Sequence, residues 1–181
     1  MRAVFLDRDG VINKYPGDTK YVTSQKGFRF LPNAKRAIAK LTKHGFILFV
    51  VSNQAGVGKG LYTRKTLDSM TDNMLKEIGK AGGKIEKVFY CTHRSDENCS
   101  CRKPRAGSIE LIRKKYSFNI KKSFFVGDTI RDVKTAHAAG CKSILVFSGR
   151  EKIKNRKQWE AQPDFVFKNL LEAAQFIITR K

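Results

Sequence analysis

A short apolar run, Ala3-Val4-Phe5-Leu6, stops abruptly at Asp7-Arg8-Asp9-Gly10. The run has no polar alternation, the pattern of a parallel strand covered on both faces. Asp7 then emerges at the carboxyl end of a buried sheet, the edge where open α/β sheets keep their ligands. Asp9 follows close enough for both carboxylates to face one pocket, and Gly10 lets the chain turn away sharply. Taken alone, Asp-x-Asp-Gly fits a polar strand end or a fragment of a calcium loop as well as it fits a chemical site. The rest of the chain decides between them.

The same arrangement recurs. Apolar residues 46–51 run into Ser52-Asn53-Gln54-Ala55-Gly56-Val57-Gly58-Lys59-Gly60, and residues 123–126 into Gly127-Asp128-Thr129-Ile130-Arg131-Asp132. Residues 85–90, 143–147 and 165–167 are further strand candidates, the last at an edge. Between them lie helical stripes. Ala34, Ala37, Ile38 and Leu41 follow Pro32-Asn33 and stop at Gly45, while Leu67, Met70, Met74, Leu75 and Ile78 follow a capping Thr63. Ile109, Ile112 and Tyr116 mark a third helix, Val133, Ala136 and Ala139 a fourth that stops at Gly140, and Asn169 caps a fifth through Ile178. Strands alternating with helices specify an α/β fold, a doubly wound parallel sheet, expected as a single domain over 1–181.

Three of the four cysteines, with one histidine, fall between positions 91 and 101. No apolar run approaches the ~20 residues of a membrane span, and the N-terminus enters the first strand without a signal peptide, so a cytoplasmic protein with reduced thiols is expected. Cys91, His93, Cys99 and Cys101 make a closed Cys3His set, which implies a structural zinc loop over 91–101. Cys141 stands apart as a small buried hydrophobe. Arg102 and Lys103 follow the last candidate ligand, and Pro104 holds Lys103 extended, so both cations are fixed near the carboxylate edge.

Several carboxylates on one edge repel one another unless a cation lies between them, and hard oxygen ligands favour magnesium. The hydroxyl, amides and glycines after residue 51 are good material for a phosphate, because backbone N–H groups there are unobstructed. They do not have the order of a P-loop. Segment 14–30, with Pro16, Gly17 and Gly27, is a long loop or short hairpin beside the site, where Asp18, Lys20 and Tyr21 are candidates to touch substrate. The 37 Lys and Arg against 16 Asp and Glu leave a net charge of +21, a field that attracts phosphorylated metabolites or nucleic acid.

Asp7-Arg8-Asp9-Gly10, Ser52-Asn53, Lys103 and Gly127-Asp128 through Asp132 together resemble the four motifs of the haloacid dehalogenase-like phosphatases, over essentially the whole chain. The cysteine loop with Cys101-Arg102-Lys103-Pro104 and Ser52-Asn53-Gln54 resembles the capless branch that holds the heptose bisphosphate phosphatases and the histidinol-phosphatase domain. Tyr21-Val22 and the Gly56 to Thr63 segment are closer to the heptose enzymes. Val11 and Ser52 depart from the superfamily, which has Thr at both positions.

The resemblance implies Asp7 as nucleophile forming an aspartyl-phosphate, Asp9 as general acid and base, and Ser52 and Lys103 on the transferring phosphoryl oxygens. It implies Mg2+ on Asp7, Asp128 and the Asp9 carbonyl, with Asp132 orienting that shell, and Zn2+ on the cysteine loop. Asp18, Tyr21, Asn53, Gln54, Arg102 and Thr129 are the expected substrate contacts. The substrate implied is a small phosphorylated sugar bound by a monomer, a heptose bisphosphate first and histidinol phosphate second. The basic surface leaves a polynucleotide 3′-phosphatase or a nucleic-acid-binding protein as the third reading, against which the cysteine loop and the lack of a kinase domain argue.

Overall fold

A computed structural model describes residues 1–180. Strands β1 (Ala3–Leu6), β2 (Ile47–Asn53), β3 (Lys87–Cys91), β4 (Phe124–Gly127), β5 (Lys142–Val146) and β6 (Phe165–Phe167) form one sheet in the order β3-β2-β1-β4-β5-β6. Every pairing is parallel. Helices α1 (Ala34–Lys43), α2 (Arg64–Lys80), α3 (Gly107–Lys115), α4 (Ile130–Ala139) and α5 (Leu170–Thr179) cover its faces. The strand order reverses between β1 and β4, the switch point at which such sheets open a crevice beyond their carboxyl ends.

Period-two alternation within β1 decides which layer each residue enters. Val4 and Leu6 pack with α1, α2 and α5 residues including Ile38, Met70, Met74 and Ile177, whereas Ala3 and Phe5 pack on the other side with Ile109 and Ile112 of α3 and Ala136 of α4. Phe5 stacks between its register partners Phe49 and Phe125, with ring centroids at 5.7 and 6.2 Å, and Phe118 meets it edge-on. All three stacked rings are buried, each contributing on the order of 1.5–3 kcal/mol.

The element boundaries differ from the sequence expectation in one way that matters. Ser52 and Asn53 do not begin a loop; they extend β2 and pair with Tyr90 and Cys91. The ladder therefore fixes their backbone. Strand β3 begins at Lys87 instead of residue 85, and β4 extends to Gly127, which pairs with Leu145. Segment 14–30 is a loop held by Lys14 N–H to the Arg29 carbonyl (2.7 Å) and an isolated bridge from Asn13 to Phe30, with one 3-10 turn at Gln25–Gly27. Thr63 and Asn169 cap α2 and α5 as expected, and Gly140 ends α4 with φ +78°. Asn33 precedes α1 in the left-handed region without a side-chain cap. Among the described residues no helix is long and apolar enough to cross a membrane.

Candidate active site

Asp7 lies one residue beyond β1, its N–H bonded to the Val126 carbonyl of β4 (2.9 Å), so the two switch-point strands fix it directly. The chain then turns tightly. Gly10 has φ +82°, and the Arg8 carbonyl accepts from Ile12 and Asn13 N–H at 2.8 and 3.1 Å. A Cβ on Gly10 would lie 2.1 Å from Asp128 Oδ2, and one on Gly149 2.0 Å from the same atom, so two glycines make the space in which Asp128 sits. Arg150 N–H donates to Asp128 Oδ2 at 2.8 Å.

Asp7, Asp128 and Asp132 are all buried, with carboxylate oxygens within 4.8 Å of one another. Lys103 Nζ lies 2.8 Å from Asp7 Oδ2 and 2.6 Å from Asp132 Oδ1. These are ion pairs whose approach misses hydrogen-bond directions, since neither Nζ nor Asp132 Oδ1 has a well-aligned partner. Burial works against the Lys103 charge, but Asp132 and then Asp7 outweigh it and hold the ammonium above its ordinary range. Burial raises the Asp7 carboxyl, opposed by Lys103 and reinforced by Asp132. Burial, then Asp7 and Asp132, push Asp128 well above the usual carboxylate range. One lysine does not neutralise three buried acids, and hard oxygen donors this close fit a divalent cation.

Asp132, expected to orient a metal shell, has a double role here. Its Oδ2 accepts from Thr129 N–H and Oγ1 at 3.1 and 2.7 Å, capping α4, while Oδ1 faces Lys103. Asn53 pins the backbone of Lys103 from both sides, accepting from its N–H (3.0 Å) and donating to its carbonyl (3.1 Å). Ser52 is buried against Asp7 and its hydroxyl bond favours the ionised carboxylate.

Asp9 faces the same cleft, but its side chain is not in the carboxylate cluster. Arg8, 1% exposed, donates Nε to Asp9 Oδ1 (3.2 Å) and Nη2 to both oxygens (3.1 Å each). Its guanidinium lies 5.6 Å from the Tyr90 ring and 5.9 Å from that of Phe28. Asn13 Nδ2 and Gln54 Nε2 complete the donors at 2.8 and 2.9 Å. The sequence reading did not single out Arg8 or Asn13; the one available signal was an arginine between two acids on a buried strand end.

The cleft, of about 360 Å³, is lined by Asp7, Asp9, Ser52, Asn53, Lys103, Asp128 and Thr129 and by loop residues that include Asp18, Lys20 and Tyr21. Arg131 and Arg150 also line it, and both continue into an adjoining groove of about 420 Å³ with Lys134 and Trp159. Asp18 pairs with Arg150 at 2.9 Å across the rim and accepts from Tyr15 at 2.6 Å. Arg102, expected at the substrate, instead turns to the His93 carbonyl (3.3 Å) and is not among the lining residues. Gln54 is buried beneath the cleft, outside its lining.

Behind Lys103, the cysteine loop gathers as expected. Cys91 Sγ lies 3.5 Å from Cys99 Sγ and 3.7 Å from His93 Nδ1, and Cys101 Sγ lies 3.5 Å from Cys99 Sγ and 3.3 Å from His93 Nδ1. A tetrahedral zinc with ~2.3 Å bonds to sulfur spaces its ligands by about 3.8 Å, so the four atoms fit that ion. Cys141 lies apart in the core.

A family model described as HAD-hydrolase-like matches residues 100–173. The D-glycero-beta-D-manno-heptose-1,7-bisphosphate 7-phosphatase of Neisseria meningitidis is 34% identical over 98% of this chain and 95% of its own length. The alpha-anomer enzyme of Campylobacter jejuni is 33% identical over 97% of this chain and 95% of its own. The crystal structure of D,D-heptose 1,7-bisphosphate phosphatase from Bordetella bronchiseptica, complexed with magnesium and phosphate, superposes over 100% of both chains with a TM-score of 0.92 at 32% identity. With its strand order, its acidic switch point and this full-length likeness, the chain belongs to the heptose-1,7-bisphosphate 7-phosphatase family of haloacid dehalogenase-like hydrolases.

Proposed function

We propose that this protein is a magnesium-dependent phosphomonoesterase that removes the 7-phosphate of D-glycero-D-manno-heptose 1,7-bisphosphate. The observation that carries the reading is the meeting of Asp7, Ser52, Lys103 and Asp128 at one switch point, in a chain matched end to end by heptose bisphosphate phosphatases. Asp7 and Asp128 with the Asp9 main-chain carbonyl would hold the magnesium, and Cys91, His93, Cys99 and Cys101 would hold a structural zinc. Bound magnesium would supply the positive charge that lets the crowded carboxylates ionise together.

Asp7 attacks phosphorus and the bond to the sugar oxygen breaks, leaving an aspartyl-phosphate and an alkoxide that takes a proton from Asp9. Asp9 then removes a proton from water, whose oxygen attacks phosphorus and frees Asp7 with release of phosphate. Lys103 and Ser52 neutralise the oxygens of the group in transfer, and Asn53 keeps Lys103 in place, because preorganised charge does most of the work in phosphoryl transfer. A bisphosphate carries a second anion away from the reaction, and Arg131 and Arg150 on the rim are cations of the right reach for it. Thr129, Lys20 and Tyr21 complete the substrate contacts, and Asp18 acts through Arg150.

The experiment is a panel of both heptose 1,7-bisphosphate anomers, histidinol phosphate and a 3′-phosphorylated oligonucleotide, with Asp7→Asn as the control. Phosphate release from a heptose bisphosphate alone, abolished in a folded Asp7→Asn protein, is the expected result. Preference for histidinol phosphate or the oligonucleotide would overturn the substrate, and turnover by Asp7→Asn would overturn the nucleophile.

A further inference from the structure

The glycines after β2 are not among the residues lining the cleft, and at Gly56 the segment makes room for a side chain. A Cβ on Gly56 would lie 2.3 Å from Tyr62 Cε1, so the ring of Tyr62, 7% exposed, occupies space that only a glycine leaves open. The Tyr62 hydroxyl donates to Gln54 Oε1 at 2.7 Å. The Gln54 amide nitrogen then faces the other way, donating to Asp9 Oδ2 at 2.9 Å and to Ser52 Oγ at 3.2 Å. We infer that Tyr62, acting through Gln54, is a positioning residue that fixes the Asp9 carboxylate and the Ser52 hydroxyl for phosphoryl transfer.

A primary amide has two nearly isosteric orientations, and its hydrogen-bond partners choose between them. With Tyr62 donating to Oε1, Gln54 offers both its N–H groups to the site. With the hydroxyl gone, nothing on that side prevents the flip that would turn an oxygen toward an acid. The donor is secure: burial raises the Tyr62 hydroxyl to about 12, so it keeps its proton. Accepting from Gln54 leaves the Ser52 O–H free for Asp7 or a phosphoryl oxygen. Arg8 donates to both oxygens of Asp9 and Asn13 to Oδ1, and Gln54 is the member of that shell that also reaches Ser52. The inference rests on the reading of Asp9 as general acid and base; Tyr62 and Gln54 themselves lie outside the cleft lining.

The test uses Tyr62→Phe, Gln54→Met and the double variant on whichever monoester of the panel the wild-type enzyme turns over fastest. General acid–base catalysis contributes about 10²–10⁴-fold, and loosening it is expected to lower kcat about tenfold in each single variant with KM changed less than about twofold. The double variant should be no slower than Gln54→Met alone, because both lesions break one relay. Losses that multiply in the double variant, a change in KM alone, or wild-type kcat in Tyr62→Phe would overturn the relay. Should Gln54→Met not fold, the kcat and KM of Tyr62→Phe decide by themselves. Asp9→Asn runs alongside: its turning over at the wild-type rate would overturn the acid–base reading, whereas an inactive Asp9→Asn beside a fully active Tyr62→Phe overturns the relay only.

Discussion

Asp128→Asn should make the magnesium-free protein more stable while abolishing its activity. Asp128 is 1% exposed, and its oxygens lie within 4.8 Å of those of Asp7 and Asp132, where two ionised carboxylates repel by ~3.5 kcal/mol or more at an effective dielectric near 20. Protonation limits the penalty. Keeping an ordinary carboxyl protonated at pH 7 costs at most about 4 kcal/mol, so the penalty that Asn removes is roughly 2–4 kcal/mol. In a domain of this size that corresponds to a rise in Tm of about 5–15 °C. Asn keeps the shape and can still accept from Arg150 N–H.

The sign of the pH dependence follows from the raised folded-state value of Asp128. Between the unfolded value, about 4, and the folded one, the folded state holds more protons, so stability falls as pH rises through that window. The gain from Asn is therefore absent at pH 4 and grows toward pH 7. Thermal melts across that range, in magnesium-free buffer with zinc left in place, measure it. Added magnesium should raise the wild-type Tm and leave that of the variant unmoved. A variant that melts at or below the wild type at pH 7, or a gain independent of pH, would refute the reasoning.

If the proposed zinc site is filled, removing the metal by chelation or by Cys99→Ser should lower Tm and phosphate release together, because a metal there would hold the segment that leads into Lys103; full activity at zero zinc by elemental analysis would contradict this. Arg150→Met should weaken binding of a bisphosphate roughly tenfold or more, the scale of one charged hydrogen bond, with little effect on the matching monophosphate. Quenching of Trp159, the chain's one tryptophan and a lining residue of the adjoining groove, reports the titration; equal losses for both ligands would remove Arg150 from the second phosphate.

What was legible in the sequence was local. An unbroken apolar run followed by an acid places that acid at a strand tip, so Asp7 and Asp128 could be located before any coordinates. The cysteine cluster was legible because its members are close in sequence. What was not legible depends on partners far along the chain. Asn53 meets Lys103 across 50 residues, and Gln54 meets Asp9 across 45. Their position at a strand end marks both amides as polar groups near the site, and only the fold tells that Asn53 holds the main chain of Lys103 and Gln54 the side chain of Asp9. The cations followed the same logic. A run of basic residues does not say which guanidinium faces the cleft, and Arg131 and Arg150 do so while Arg102 faces the cysteine loop. Gly56 could not be interpreted without the ring it accommodates.

Asp7 and Asp9, two residues apart, have opposite surroundings, and the turn between them is the cause. Had the strand simply continued, residues 7 and 9 would share a face and their charges would add to the cluster around Asp128. Instead the bonds from Ile12 and Asn13 to the Arg8 carbonyl fold the chain back, setting Asp9 over the buried Arg8 guanidinium and leaving Asp7 among Lys103, Asp128 and Asp132. The acid proposed to attack phosphorus thereby sits in the carboxylate cluster that a divalent cation would neutralise. The acid proposed to move protons, Asp9, is held by Arg8, Asn13 and Gln54, none of which belongs to the carboxylate cluster. On the proposed roles, Asp128→Asn tests metal loading and leaves the side-chain donors to Asp9 in place, whereas Tyr62→Phe tests proton transfer through Gln54 and reaches Asp7 only by way of the Ser52 hydroxyl.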